Sequence, residues 1–230
     1  MKENYFPSFA GKPNIALKKF AAIAVLALAS LQGLAQGSNP PFKNQYSILF
    51  GLNQPIVLRG FNIEANYYTK KWVMDYSHGF NLHVDGTFLG GEYERQRINF
   101  RITHSLGFGF GYRFTKAFNL RFEPKLHLYE TYYEGQEQNK SSSIVNFNTI
   151  TLGLGAYYRW LPFEKMEGAS KGFTVVPSIR YWYKVDSSLP GDQYSYSNSL
   201  TNQNEILKAP NIGISNTPWI VNISVGYTFK

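Results

Sequence analysis

The stretch from Trp219 to Phe229 limits the possible folds more than any other part of this chain. Every second residue from Trp219 onward is large and apolar, through Val221, Ile223, Val225, Tyr227 and Phe229, whereas Asn222, Ser224, Gly226 and Thr228 between them are small or polar. A period of two is the mark of an extended strand with one face in an apolar medium. Its length of about eleven residues is twice that of an ordinary soluble strand and matches a tilted strand crossing a bilayer. Aromatic rings stand at both ends of the apolar face, Trp219 at one and Tyr227 with Phe229 at the other, where a membrane has its two water interfaces. The expectation is an all-β transmembrane barrel that this strand closes.

The terminal segment Gly226-Tyr227-Thr228-Phe229-Lys230 resembles the C-terminal signal of bacterial outer-membrane barrels, in which an amphipathic strand ends on an aromatic residue. Lys230 departs from that pattern by following the aromatic. The resemblance is to the class of small OmpA/OmpX-type barrels and spans the whole exported part. It implies an outer-membrane location, contact with outer-membrane lipids and lipopolysaccharide, and delivery by the insertion machinery through Trp219 to Phe229. It implies no particular activity.

The start of the chain fits export. Lys12, Lys18 and Lys19 precede an apolar run from Phe20 to Leu31, and Gly33-Leu34-Ala35 supplies the small residues that a signal peptidase needs. Residues 1–35 are therefore expected to be a signal peptide and residues 36–230 the barrel domain. The run is too short to stay behind as a membrane anchor. The leader holds four of the 23 basic and one of the 15 acidic residues, so the exported part carries about +5. That modest, dispersed excess gives no support to nucleic-acid binding. With no cysteine in the chain, neither a disulfide framework nor a lipidated cysteine is expected. The mean hydropathy of −0.29 suits a barrel, because only alternate residues meet lipid.

Seven further alternating runs precede the last one. They start near Tyr46, Phe61, Trp72, Leu106, Phe118, Ile150 and Phe173, which predicts eight antiparallel strands in up-and-down order, the smallest single-chain outer-membrane barrel. Apart from the first, the short Asn53–Arg59, the connections alternate in length. Gly79–Arg101, Glu130–Asn146 and Asp186–Thr217 read as long extracellular loops, and Thr69–Lys71, Thr115–Ala117 and Leu161–Lys171 as shorter periplasmic turns, with both termini periplasmic. Trp72, Trp160, Trp219, Tyr227 and Phe229 are assigned to aromatic belts. Pro124 and Pro177 each remove a ladder donor and so predict bulges. The glycines at 107, 109 and 111 predict either a narrow lumen or room for large neighbours across it.

With the apolar faces in lipid, the inward positions gather Glu64, Asp75 and Glu123 with Arg113, Arg121, Lys125, Arg159, Arg180 and Lys184. Eight strands enclose a space just wide enough for side chains to fill, and unpaired buried charges are very costly. A solid ion-pair core follows, in which Glu123 is shared among several bases. The alternative is a narrow path for small solutes, anionic ones given the basic excess. A lipid-modifying enzyme is a further alternative, resting on Ser77, His78, His83, His104 and Ser105. Adjacent Ser and His in one strand face opposite ways, so only a cross-strand pair such as Ser77 with His104 could act. His127 reads as a hydrogen-bonding lumen residue. No metal site, cofactor or catalytic group is expected, and the expected role is structural or surface-interactive, through loops rich in Tyr, Ser and Asn whose ligand the sequence does not name.

Overall fold

A computed structural model describes residues 43–229. The signal peptide expected at residues 1–35 lies outside them, as does Lys230. Eight strands close into one barrel: β1 (Gln45–Gly51), β2 (Phe61–Tyr68), β3 (Trp72–Val84), β4 (Ile98–Arg113), β5 (Phe118–Tyr133), β6 (Val145–Tyr158), β7 (Phe173–Ser187) and β10 (Trp219–Phe229). All pairings are antiparallel, each strand bonds its neighbours in sequence, and β10 bridges β7 and β1 to complete the ring. A separate hairpin of β8 (Gln193–Asn198) and β9 (Gln203–Lys208) lies within the β7–β10 connection.

The alternation in the sequence becomes an alternation of environment. Along β5, Asn119, Arg121, Glu123, Lys125 and His127 are buried, whereas Leu120, Phe122 and Leu126 are exposed. Phe108, Leu154 and Trp219 are 68%, 67% and 53% exposed. A continuous apolar band of this kind is strongly unfavourable in water, at roughly 25 cal/mol per Å², and favourable only in lipid. The barrel is thus a transmembrane one. Trp72 packs on Phe110 and Tyr112 at one rim, and Trp219 on Tyr181 at the other. The rim carrying the turns 69–71, 114–117 and 159–172 is called lower here, and the opposite rim upper.

The strands differ in length in a way the alternation does not predict. β1 and β2 have 7 and 8 residues, but β4 and β5 have 16 each. The longer strands continue upward past the belt, and there both faces exchange character. Outward residues change from Leu126 and Leu128 to Glu130 on β5, and from Ile150 to Asn148 and Asn146 on β6. Inward residues change at the same height from His127 and Thr149 to Tyr129 and Phe147. β4 makes the exchange with a bulge, since its pairing with β5 shifts by one between Ile102 and His104. Below the bulge Ser105 and Gly107 point inward, and above it Ile98, Phe100 and Ile102 do. β7 gains a residue between Lys184 and Asp186 to the same effect.

Three expectations need correction. The expected loop Gly79–Arg101 shrinks to residues 85–97, Glu130–Asn146 to 134–144, and Asp186–Thr217 holds the β8–β9 hairpin. The phase of alternation reverses above the belt, so a pattern of fixed parity stops short there. The bulges fall near Thr103 and Val185 instead of at the prolines. Pro124 is accommodated by a lapse in the β4–β5 ladder between Gly107↔Lys125 and Phe110↔Phe122, with register unchanged, and Pro177 pairs in register with Ile223.

The inward glycines make room for large side chains. A Cβ at Gly109 would collide with the Asp75 carboxylate, and one at Gly153 with the Trp182 indole. Gly153→Val should therefore destabilise the barrel by about 1–3 kcal/mol through overpacking, whereas the lipid-facing Leu154→Val should change stability by much less. Urea unfolding midpoints in lipid vesicles compare the two.

Candidate functional site

The lumen is built around Arg121, whose side chain is fully buried. β5 carries it inward, and opposite it β2 and β3 bring Glu64, Asn66, Tyr68 and Asp75 onto the same inward face. Its Nη1 donates to Glu64 Oε1 at 2.9 Å, Asn66 Oδ1 at 2.6 Å and Asp75 Oδ2 at 3.1 Å, and its Nε to Asn119 Oδ1 at 2.8 Å. Nη2 donates to the Tyr68 hydroxyl at 3.3 Å. The guanidinium also lies 3.9 Å from the centroid of the Tyr157 ring, and Arg180 lies over the same ring at 4.8 Å. One aromatic ring thus attracts two like charges. Arg180 completes the cluster with a longer ion pair to Glu64, 3.6 Å away.

Arg180, Lys125 and Arg121 surround Glu123 closely enough to act on its charge, but its direct hydrogen-bond donors are aromatic side chains. It accepts hydrogen bonds from the Tyr157 hydroxyl and from Trp182 Nε1, the latter at 3.0 Å. Lys125 lies over the Trp182 ring at 4.4 Å and donates to Ser77 Oγ. The rings that donate to this carboxylate are thus the ones on which the nearby cations rest. The tyrosines and tryptophan of the network, Tyr68, Tyr157 and Trp182, share the inward parity of the charged set. That parity is the sequence signal that places them in the lumen.

The remaining bases sit elsewhere. Arg113 and Arg159 occupy the lower mouth, where both donate to the Lys116 carbonyl and Arg159 donates to Gln45 Oε1 at 2.7 Å. Lys184 lies above the cluster, 2.6 Å from Asp192 Oδ2 of the upper connection. The central layer then holds Glu64, Asp75 and Glu123 against Arg121, Lys125 and Arg180. Three acids face three bases, and the basic excess of the inward set belongs to the two ends.

Above the charges a neutral layer runs from Ser105 Oγ to His127 Nδ1 and from His127 Nε2 to Thr151 Oγ1, each at 2.9 Å. Ser77 points inward to Lys125, whereas His104 points outward and meets His78 at 3.0 Å. The cross-strand pair Ser77–His104 is accordingly not formed. His83, near the upper end of β3, has its Nδ1 2.6 Å from Gln138 Oε1 of the upper connections.

Over the lumen lies a second core of opposite character. Leu82, Val84, Ile98, Phe100, Ile102, Tyr129 and Phe147 from the barrel wall pack against Leu89, Tyr93, Leu189, Leu207 and Ala209 from the upper connections. Tyr129 and Phe147 stack with centroids 4.9 Å apart and planes 5° apart. The space left between this core and Pro210–Ile212 is about 10 Å³, no more than one water requires. Polar contacts hold the β8–β9 hairpin to this cap: Arg95 grips Glu205 with two bonds of 2.8 Å, and Gln96 donates to the Ile206 carbonyl at 2.9 Å. The Arg95 hydrogen bonds hold the Glu205 carboxyl below its ordinary range.

Arg121→Met would leave Glu64 and Asp75 buried together without the cation that joins them. It should destabilise the barrel by about 3–5 kcal/mol. Combining it with Glu64→Gln and Asp75→Asn should recover most of that loss, since an uncharged network no longer needs the guanidinium. Equilibrium unfolding in lipid vesicles measures both variants.

No protein-family model matches the chain, and no curated protein does. Among solved structures, the chain is similar to the crystal structure of Ail, the attachment invasion locus protein of Yersinia pestis. The identity is 15% and the TM-score 0.41, over 82% of this chain and 100% of that one. It is also similar to the backbone structure of the Yersinia pestis outer membrane protein Ail in a phospholipid bilayer nanodisc, at 15% identity and a TM-score of 0.32, over 81% and 100% of the two chains.

Proposed function

We propose that the chain is an exported outer-membrane protein that holds a rigid recognition cap at the cell surface on a solid transmembrane stem. The observation that carries this reading is the pair of stacked cores. A charge-balanced network fills the lumen at mid-height, and an apolar core closes the barrel above it. A conducting path would need a continuous polar, hydrated lumen, and the apolar layer from Phe100 to Leu207 interrupts one. Residues 1–35 act as the signal peptide, Trp219 to Phe229 as the segment read by the insertion machinery, and the aromatic belts as the contact with phospholipid and lipopolysaccharide. The lower turns and both termini face the periplasm.

The upper surface suits recognition better than catalysis. Its side chains are held by packing and paired hydrogen bonds, and preorganised surfaces lose less entropy on binding. Phe88, Tyr194, Leu200 and Ile206 are exposed on the connections outside the barrel wall, which supplies apolar and aromatic contact area of the kind that anchors interfaces.

Planar bilayers containing the purified protein should show no steady conductance, and a sustained anion-selective current would overturn the closed-stem reading. An epitope tag within residues 134–144 should be labelled on intact cells, and one at Lys116 only after permeabilisation. Phe100→Ala should cost about 3–5 kcal/mol of cap stability. It should make residues 193–208 susceptible to added protease while the heat-modifiable gel mobility of the barrel persists.

A further inference from the structure

Two imidazoles that the lumen does not use meet on the outer wall. His78 on β3 and His104 on β4 both point away from the lumen, and both are only partly buried. They are diagonal neighbours, since His78 pairs with Leu106 and His104 with Phe80. His78 Nε2 and His104 Nδ1 are 3.0 Å apart, and the ring centroids 5.3 Å. Tyr76 flanks the pair with its ring edge-on to His78, and Phe80 with its ring tilted against His104. His104 lies level with Leu128, the last apolar outward residue of β5 before Glu130. The pair therefore stands where the apolar belt gives way to the polar surface.

We propose that His78 and His104 form a two-imidazole site for a divalent transition-metal ion, copper above all, at the upper edge of the lipid-facing surface. The geometry argues for it. A metal bound about 2.0–2.1 Å from each imidazole nitrogen and joining two nitrogens 3.0 Å apart subtends nearly a right angle. That is the angle between adjacent ligands of tetragonal copper(II) or nickel(II), and imidazole is a ligand suited to both. The pair is partly organised in advance, because both strands are locked in the barrel ladder and the two rings already meet. One ring donates its N–H to the other in the metal-free pair. On metal binding that proton moves to the donor ring's second nitrogen, so two neutral imidazoles present two lone pairs with no net change of charge. Among the described residues no group of three or more His, Cys, Asp or Glu converges. The protein thus supplies two ligands, and water or a lipid phosphate oxygen at this height takes the outward positions.

This inference does not depend on the recognition role of the cap. The test uses the folded protein in zwitterionic detergent, titrated with Cu²⁺ in a weakly coordinating buffer and followed by electron paramagnetic resonance. One equivalent should give a tetragonal spectrum with hyperfine coupling to two imidazole nitrogens. His78→Leu and His104→Leu each remove one arm of a chelate and should weaken binding on the order of a hundredfold. Both replacements are lipid-compatible at outward positions, and heat-modifiable mobility shows that the variants fold. His83→Gln should bind as the parent does. The same ion should raise the urea unfolding midpoint of the parent and of His83→Gln, but not that of the two leucine variants, because a ligand selective for the folded state stabilises it by mass action. A copper spectrum unchanged in the His78→Leu, His104→Leu double variant, or no nitrogen-coupled signal in the parent, would overturn the proposal.

Discussion

A guanidinium sealed from water at the middle of a barrel must find its counter-charges on the opposite wall, and this requirement organises the interior. Arg121 gathers Glu64 from β2 and Asp75 from β3, and it shares the Tyr157 ring with Arg180. A buried charge is tolerated only when its partners are close and its donors are occupied, and here side chains from β2, β3, β5 and β6 meet that demand together. The inward glycines of β4 and β6 follow from the same constraint. Side chains as long as Arg121, Lys125 and Trp182 fit an eight-stranded lumen only where the wall opposite or beside them carries no side chain.

The second constraint is the change of solvent along the barrel axis. Within the belt the apolar side chains belong outside and the polar ones inside. Above it water replaces lipid, and the same strands must turn their apolar residues inward. β4 and β7 make the exchange through an inserted residue, a bulge that reverses side-chain parity. β5 and β6 make it through their sequence alone, keeping their parity while Leu128 is followed outward by Glu130 and His127 is followed inward by Tyr129. The result is one wall serving two cores. The lower core is held by ion pairs and aromatic faces, and the upper by burial of apolar area.

These two cores make the lumen a support for the upper surface. The charged layer is neutral in sum, the apolar layer above it excludes water, and the basic excess expected from the inward residues resides at the ends. The hairpin of β8 and β9 rests on that apolar layer and is gripped by Arg95 and Gln96. The upper connections are accordingly part of a packed unit, which is the physical basis for reading them as a recognition surface.

The sequence by itself determined the elements that depend on local period: the alternating apolar and polar faces of the barrel strands within the belt, the closing role of Trp219 to Phe229, and the number of barrel strands. These were legible because a strand places alternate residues on opposite faces wherever it lies. Tertiary structure alone decided who meets whom. Arg121 pairs with residues 57 and 46 positions away, and Glu123 accepts its hydrogen bonds from Tyr157 and Trp182. His104 meets His78 and not Ser77. Such contacts depend on how the ring closes and on the register between strands, to which no local pattern is sensitive. The upward extension of β3 to β7 was hidden for a related reason. Alternation reports which side of a strand is apolar, but only the position of the strand relative to lipid, water and the upper connections decides whether that side faces outward or inward.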